Sequence, residues 1–312
     1  MKTNETNEIK KTNKTNNTNN GISAKIIADS INEQGKRITT FELEFHRYIL
    51  SEMNTHRVAS KNTASSRAIP IKKVIEQVRS NPAIPIYFGS HQAGMQSGKE
   101  LDAEAKEKAK QLWLESAEQA CKTAEQLTAL GGAKEWVNRI LEPYTFIKQV
   151  FTSTEYNNFF ALRDSEYAQP EIRDLARKMK ALYETGKPKF LKKGYWHLPY
   201  VKTEEYDNQQ LYFDYDCNQI SLEQALKLSA SLVAQTSFRL QNSSQEKADD
   251  IFKKLIESKP VHASPTEAQA MSWDSSKHVG WTQFHNNGLP GSGNLQGWIQ
   301  YRQLIKDNVV LG

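Results

Sequence analysis

From Ile38 to Phe45 the chain reads Ile-Thr-Thr-Phe-Glu-Leu-Glu-Phe, alternating apolar and polar side chains with β-branched residues early in the run. A period of two sends successive side chains to opposite faces, so this stretch predicts a strand with one buried face and commits part of the fold to a sheet. Arg47 to Thr55 follows with Tyr48, Ile49 and Met53 close to helical spacing. Such a helix would set Glu52 and His56 four residues apart on one face and deliver His56 and Arg57 at its end.

What is delivered there is unusually rich in donors. Thr55 to Arg67 holds two guanidiniums, an imidazole, three serine hydroxyls and an amide within thirteen residues. Arg57 and Arg67 can fork onto phosphate or carboxylate oxygens, Ser65 and Ser66 can cap the same anion, and His56 can lie against a flat heterocycle. The bland reading is a polar helix start, since Ser, Thr and Asn also mark caps.

The chain of 312 residues, 38% of them apolar, is long enough for one large domain or two small ones. A net charge of +5 suits anionic small molecules and falls short of a dedicated nucleic-acid binder. No apolar run approaches a membrane span and no leader pattern is visible. Cys121 and Cys217 are far apart and lack metal-ligand spacing, which favours a reducing compartment, the cytoplasm by default, over a zinc site or disulfide framework. Residues 1–21 form a Lys/Thr/Asn tract without apolar periodicity and are expected to be a disordered tail.

Further along, Ile22 to Ile31 reads as either a strand or a short helix. Ile69-Pro70 opens a helix that the Asn81-Pro82 dipeptide ends. Glu100 to Leu130 is rich in Ala, Glu, Lys, Leu and Gln and is closed by Gly131-Gly132, a helix whose buried stripe would be Trp113, Leu114, Ala117, Cys121 and Ala124. Cys121 is then a core residue. Arg139 precedes a proline-terminated segment, while Asn158 and Arg163 sit among Phe159, Phe160 and Leu162, where a long cation needs a partner; a structural pairing of Arg163 with Asp164 or Glu171 is the simple alternative. The aromatic stretch Pro188 to Asp216 is expected to be a connecting segment packed on the core, with His197 structural. Ile220 to Leu240 and Gln245 to Ser258 have helical periodicity, and Gly293 to Arg302 reads as a glycine turn into a final helix with Arg302 as an unassigned substrate contact.

Several blocks together resemble the flavin-dependent thymidylate synthases. His56-Arg57, seven residues and Ser65, with Asn62 and Arg67 around it, is similar to the Arg-His-Arg-(any seven)-Ser signature of that family; Thr55 stands for the first Arg and Thr63 for an acidic residue. Asn158-Phe159-Phe160, Leu162-Arg163, Ala168-Gln169 and Glu171-Ile172 resemble the second signature, with Tyr167 where a His is frequent and Thr152 and Thr154 in place of polar and basic flavin contacts. Arg139 falls where the family has an Arg before Leu-Pro. His262-Ala263-Ser264-Pro265-Thr266-Glu267 resembles the His-x-Thr/Ser-Pro-x-Glu element, here after the Arg-His-Arg block instead of before it, so the motif order looks permuted.

The resemblance implies an α+β fold, an antiparallel sheet flanked by helices, with residues 22–312 forming a single domain and active sites between subunits of a homotetramer. It implies reductive methylation of dUMP to dTMP with 5,10-methylenetetrahydrofolate as carbon donor, NADPH as reductant and FAD as cofactor. Arg163 would be catalytic; Glu52, Ser65, Ser66, Arg67, Arg139 and Arg163 would bind dUMP; and His56, Arg57, Asn62, Asn158, His262 and Ser264 would hold FAD. No metal, membrane or nucleic acid is expected. A partly desolvated guanidinium suits charge developing on the carbonyl side of a uracil ring. Ser65 lacks a placed general base and is not read as a nucleophile. A nucleic-acid binder with stacking aromatics and an inactive nucleotide-binding homologue are the readings from other classes.

Overall fold

The computed structural model describes residues 20–237, 241–273 and 294–308, with two short strands at 285–286 and 289–290. The tail expected at 1–21 lies outside these except for Asn20 and Gly21. The end of the helix expected to reach Leu240 and the turn residue Gly293 lie outside as well.

Strands β1 (Ser23–Asn32) and β2 (Arg37–His46) form an antiparallel hairpin with Ser23 opposite Glu44 and Ile31 opposite Arg37. The ambiguity at Ile22 to Ile31 is thus resolved as a strand. Arg47–Ile49 is a single 3-10 turn that runs into the short helix α1 (Leu50–Asn54), and β3 (Ser60–Thr63) follows. Helices α2 (Ile71–Ser80), α3 (Ala103–Ala129) and α4 (Lys134–Val137) lead through a 3-10 segment, Asn138–Tyr144, into β4 (Phe146–Ser153). Then come α5 (Asn157–Arg163), α6 (Pro170–Thr185) and β5 (Lys189–Leu191). The central sheet has the order β3-β4-β2-β1-β5 and is antiparallel except where β5 runs alongside β1. The fold is α+β, with helices against an almost wholly antiparallel sheet.

Period two places Phe41, Leu43 and Phe45 on one face of β2, where they join Ile147, Phe151 and the α6 residues Ile172, Leu175, Ala176 and Met179 in the main core. The opposite face was expected to be open. Instead Thr40 and Thr152 are buried there, hydroxyl to hydroxyl at 2.8 Å, and the Tyr200 hydroxyl donates to Glu42 at 2.6 Å. The cover comes from the second half of the chain. Gly21 at the mouth of β1 has φ of +74°, and a Cβ there would sit 2.3 Å from the Phe146 ring.

Val74, Ile75, Val78, Ala117, Cys121, Ala124, Val137 and Leu141 make a separate helical core, with Arg79 bridging Glu118 and Glu125 on its surface. Cys121 is buried as expected. Leu114 is not part of the stripe; it is exposed, and Trp113 is half-buried, its indole N–H donating to the Ala83 carbonyl at 2.9 Å.

The stretch expected to be a connection, Pro188 to Asp216, is largely strand. It supplies β5, β6 (Trp196–His197), β7 (Lys202–Tyr206) and β8 (Gln209–Phe213), and β9 (Gln219–Ile220) adds to the last pair. The short alternations were hidden among basic and aromatic residues. Helices α7 (Leu222–Ala234) and α8 (Gln245–Leu255) start at Ser221 and Ser244, whose hydroxyls accept from the N–H groups of Gln224 and Lys247. Strand β10 (Ala270–Ser272), the pair β11 (His285–Asn286) and β12 (Leu289–Pro290), and β13 (Trp298–Gln300) complete the chain. The final helix expected at Gly293 to Arg302 is instead β13 and a 3-10 turn, Tyr301–Leu304, because Trp298, Ile299 and Gln300 pair with β10, which itself pairs with β6. His197 is structural: its ring is buried, with Nδ1 at 2.9 Å from Ser30 Oγ and Nε2 at 2.8 Å from Thr40 Oγ1.

Candidate functional site

Helix α1 ends at Thr55, whose hydroxyl and amide both donate to the Glu52 carbonyl, at 2.6 and 3.1 Å. The chain turns there before re-entering the sheet as β3, and His56 is buried in the turn with its ring edge-on to Phe159 at 4.8 Å between centroids. Arg163 lies at the last turn of α5. Its Nε donates to His56 Nε2 at 2.9 Å and its NH2 donates to Thr55 Oγ1 at 3.1 Å. Two sequence blocks more than one hundred residues apart therefore meet at one guanidinium. Neither Asp164 nor Glu171 is its partner: Asp164 takes Arg177 and Lys180, and Glu171 accepts from the Ile86 amide.

A guanidinium only donates, so His56 Nε2 must be the bare acceptor nitrogen and the ring neutral. Burial, then the charges of Arg163 and Lys61, push the His56 imidazole down to about 4. Neutrality is thus secure near pH 7.

On β3, Asn62 Nδ2 donates to the Val233 carbonyl at 2.6 Å, and Ser264 Oγ donates to Asn62 Oδ1 at 3.3 Å. The His262 to Glu267 block reaches the Thr55 to Arg67 segment in space despite its late place in the sequence. His262 itself is exposed, held by its amide on the Leu255 carbonyl. Arg57 and Asn158 are exposed, the first in the turn after His56 and the second on the opening turn of α5.

A second group gathers beyond β3. Ser65, Arg67, Ala68, Ala133, Lys134 and Glu135 line an open cleft of about 520 Å³, and the Arg67 guanidinium, 69% exposed, stands 3.7 Å from Glu135. Ser65 Oγ accepts from the Arg67 amide at 3.3 Å. Ser66 is buried, and its carbonyl accepts from Asn138 Nδ2 at 2.8 Å, so Arg67 and Arg139 each directly follow a residue of this joint. Arg139 pairs with Glu142 at 3.0 Å, as does Arg47 at 2.9 Å. Glu52 is half-buried and accepts from Ser51 at 3.1 Å. Within one chain, then, Arg163 is held by Thr55 and His56, whereas Arg67 and Arg139 are held by Glu135 and Glu142.

The departures from the signature pattern each have a local role. Thr55 accepts from Arg163, Thr63 accepts from Gln149 at 2.7 Å, Thr152 bonds Thr40, and Thr154 accepts from the Gln296 amide at 3.0 Å. Tyr167 is 71% exposed. The sequence reading missed Lys61, whose ammonium donates to the His56 carbonyl, and Gln300, whose amide reaches Ser60. No spacing marks either one, because their importance arises from contacts across the chain. Chemically, the donor set fits phosphorylated heterocycles. The exposed guanidinium of Arg57 and the loosely paired one of Arg67 match phosphate, and a neutral imidazole matches the edge of a flat ring.

Two crystal structures of thymidylate synthase X from Helicobacter pylori, both with FAD and dUMP, resemble the chain at 19% identity and a TM-score of 0.32. The likeness covers 46% of this chain and 65% and 66% of theirs, so the chain spans less than two thirds of their length. No curated protein matches the sequence. Residues 3–189 match the thymidylate synthase complementing proteins, a span of more than half the sequence that takes in the Thr55 to Arg67 block and the Asn158 to Ile172 block alike. The chain belongs to the thymidylate synthase complementing protein family.

Proposed function

We propose that the chain is an FAD-dependent thymidylate synthase, a methyltransferase of nucleotide biosynthesis. It would convert dUMP to dTMP with 5,10-methylenetetrahydrofolate as carbon donor and NADPH as reductant. The observation that carries this reading is the convergence of Arg163 on His56 and Thr55, which joins the two signature blocks of the family at one cation.

Arg163 commits Nε to His56 and NH2 to Thr55, and among the described residues its NH1 has no partner. That remaining donor is suited to a pyrimidine carbonyl oxygen, where negative charge grows as C5 of the ring becomes nucleophilic, and a half-buried guanidinium stabilises such charge better than water does. His56 orients Arg163 by accepting its Nε–H. Ser65, Ser66, Arg67 and Arg139 would anchor the nucleotide phosphate, with Glu52 near the ribose. His56, Arg57, Asn62, Asn158, His262 and Ser264 would hold FAD, which when bound takes a hydride from NADPH and supplies it to the transferred carbon.

Val58 and Leu162, each 53% exposed, and Tyr167, 71% exposed, leave apolar surface uncovered on the turn after His56, on α5 and in the segment that follows it. This supports active sites completed between copies in a homotetramer, in which Arg67 and Arg139 of one subunit could serve Arg163 of another. Two free cysteines, one of them exposed, support a reducing setting, the cytoplasm. No helix of the described residues is long and apolar enough to cross a membrane.

The test is an absorbance spectrum of the purified protein, with dUMP-dependent NADPH oxidation and dTMP formation followed on the same sample. A flavin spectrum with dUMP-dependent oxidation is expected. Flavin and dUMP binding without dTMP would identify an inactive homologue, and steeply salt-dependent oligonucleotide binding by colourless protein would overturn the reading in favour of a nucleic-acid binder.

A further inference from the structure

The family match stops at residue 189, yet the chain beyond it lies against the motif strand. Among the described residues β3 is an edge of the central sheet, paired only with β4, so its remaining polar groups need cover. Two residues of β3, Ser60 and Asn62, receive it from the second half of the chain, with Lys61 between them. Ser60 is buried, donating to Asn294 Oδ1 at 3.0 Å and accepting from Gln300 Nε2 at 2.7 Å. Lys61 lies in the field of Glu267, and its ammonium caps the His56 carbonyl. Asn62 is held by the Val233 carbonyl and Ser264. Glu267 is itself fixed twice: its carboxylate pairs with Arg302, and its carbonyl accepts from the fully buried Gln300 amide at 2.8 Å.

We propose that Glu267, Gln300 and Arg302 are positioning residues for the catalytic guanidinium. Through Ser60 and Lys61 they hold the backbone of His56, and that backbone sets where the imidazole meets Arg163. Arg302 is therefore a support for Glu267 and not the direct substrate contact that its sequence position left open. The role rests on the thymidylate synthase reading for its effect on turnover, but not for its effect on His56.

The charged groups acting on the His56 ring are Arg163 from α5, which donates to it, and Lys61 from β3, whose ammonium lies on the His56 carbonyl, both cationic. Replacing Glu267 by Gln removes a carboxylate, which by charge alone would lower the imidazole midpoint further. Release of the ring from its buried seat would instead raise it toward the ordinary value. The experiment is an NMR titration of the His56 imidazole, assigned with His56→Gln, in the full chain and in the variants Glu267→Gln and Gln300→Leu. Alongside it, kcat and KM for dUMP are measured on FAD-loaded protein.

The expected result is a midpoint raised by at least about 1 pH unit in both variants, with kcat lowered about tenfold or more and KM for dUMP within about threefold, as loss of orientation alone would give. Glu267→Gln is isosteric at a side chain that is 20% exposed, so it carries the test if the fully buried Gln300→Leu does not fold. An unmoved or lowered midpoint in a folded Glu267→Gln variant overturns the proposal whatever the wild-type activity. A raised midpoint in a protein that makes no dTMP supports the positioning role and removes the activity reading instead.

Discussion

Replacing Arg163 with Ala removes two hydrogen bonds, to His56 Nε2 at 2.9 Å and to Thr55 Oγ1 at 3.1 Å, and one of the two cations that depress the His56 imidazole. Each bond is made by a charged donor to a neutral acceptor at a half-buried position, so the loss of stability is on the order of 1–3 kcal/mol, partly offset because water can reach the freed acceptors. For a domain of this size that corresponds to a melting-temperature drop of roughly 2–8 °C. The catalytic loss is far larger. Removing a donor aimed at developing negative charge costs about 10²–10³ in kcat. In addition, the His56 midpoint should climb from about 4 toward 6.5, because the cationic neighbour is gone and the ring becomes hydrated. Thermal melting, an NMR histidine titration and dTMP formation on one preparation give all three numbers. A folded Arg163→Ala protein that makes dTMP within about threefold of wild type would refute the assigned role, because no orientation or charge effect of this kind is that small.

Acid should destabilise the protein in a defined window. His197 is pushed down to about 3 by burial and His56 to about 4 by burial and two cations, so the unfolded chain binds more protons than the native one below pH 6.5. Stability present above pH 6.5 is lost as the pH falls through about 4 and then 3, on the order of 3–5 kcal/mol from His197 and less from His56, whose edge solvent screens. Urea unfolding at pH 7 and pH 4 measures this, and a flat profile would contradict it. Arg67→Ala and Arg139→Ala should leave the melting temperature almost unchanged, since both side chains are mostly exposed and their ion pairs lie at the surface, while raising KM for dUMP about tenfold with kcat retained. Equal losses in kcat would show that they touch the reacting ring and not the phosphate. Gly21→Ala combines a φ of +74° with a Cβ 2.3 Å from the Phe146 ring. It should cost about 2 kcal/mol or more in chemical unfolding, and an unchanged midpoint would mean that β1 does not enter the sheet as described.

Much of the first half of the molecule was legible in its residues. The period-two run at Ile38 to Phe45 and the Ala-rich helix with its closing glycines are local signals, and local backbone preference suffices to read them. The density of donors in Thr55 to Arg67 marked a binding segment for the same reason: the chemistry of each side chain travels with its residue type.

Other features required the folded chain. A side chain's partner is set by which elements face each other, so no spacing could say that Arg163 bonds His56 and Thr55 and leaves Asp164 to Arg177 and Lys180. Burial of Thr40 on the second face of β2 depends on a cover supplied more than one hundred and fifty residues later, and β5 to β8 are too short for their alternation to stand out. The nearness of Ser264 to Asn62, two hundred residues apart, shows why motif order along the chain is a poor guide to the site. Residue type and local period determined which side chains could do chemistry. Only the packing of distant segments, which decides who is desolvated beside whom, determined which of them are held ready to do it.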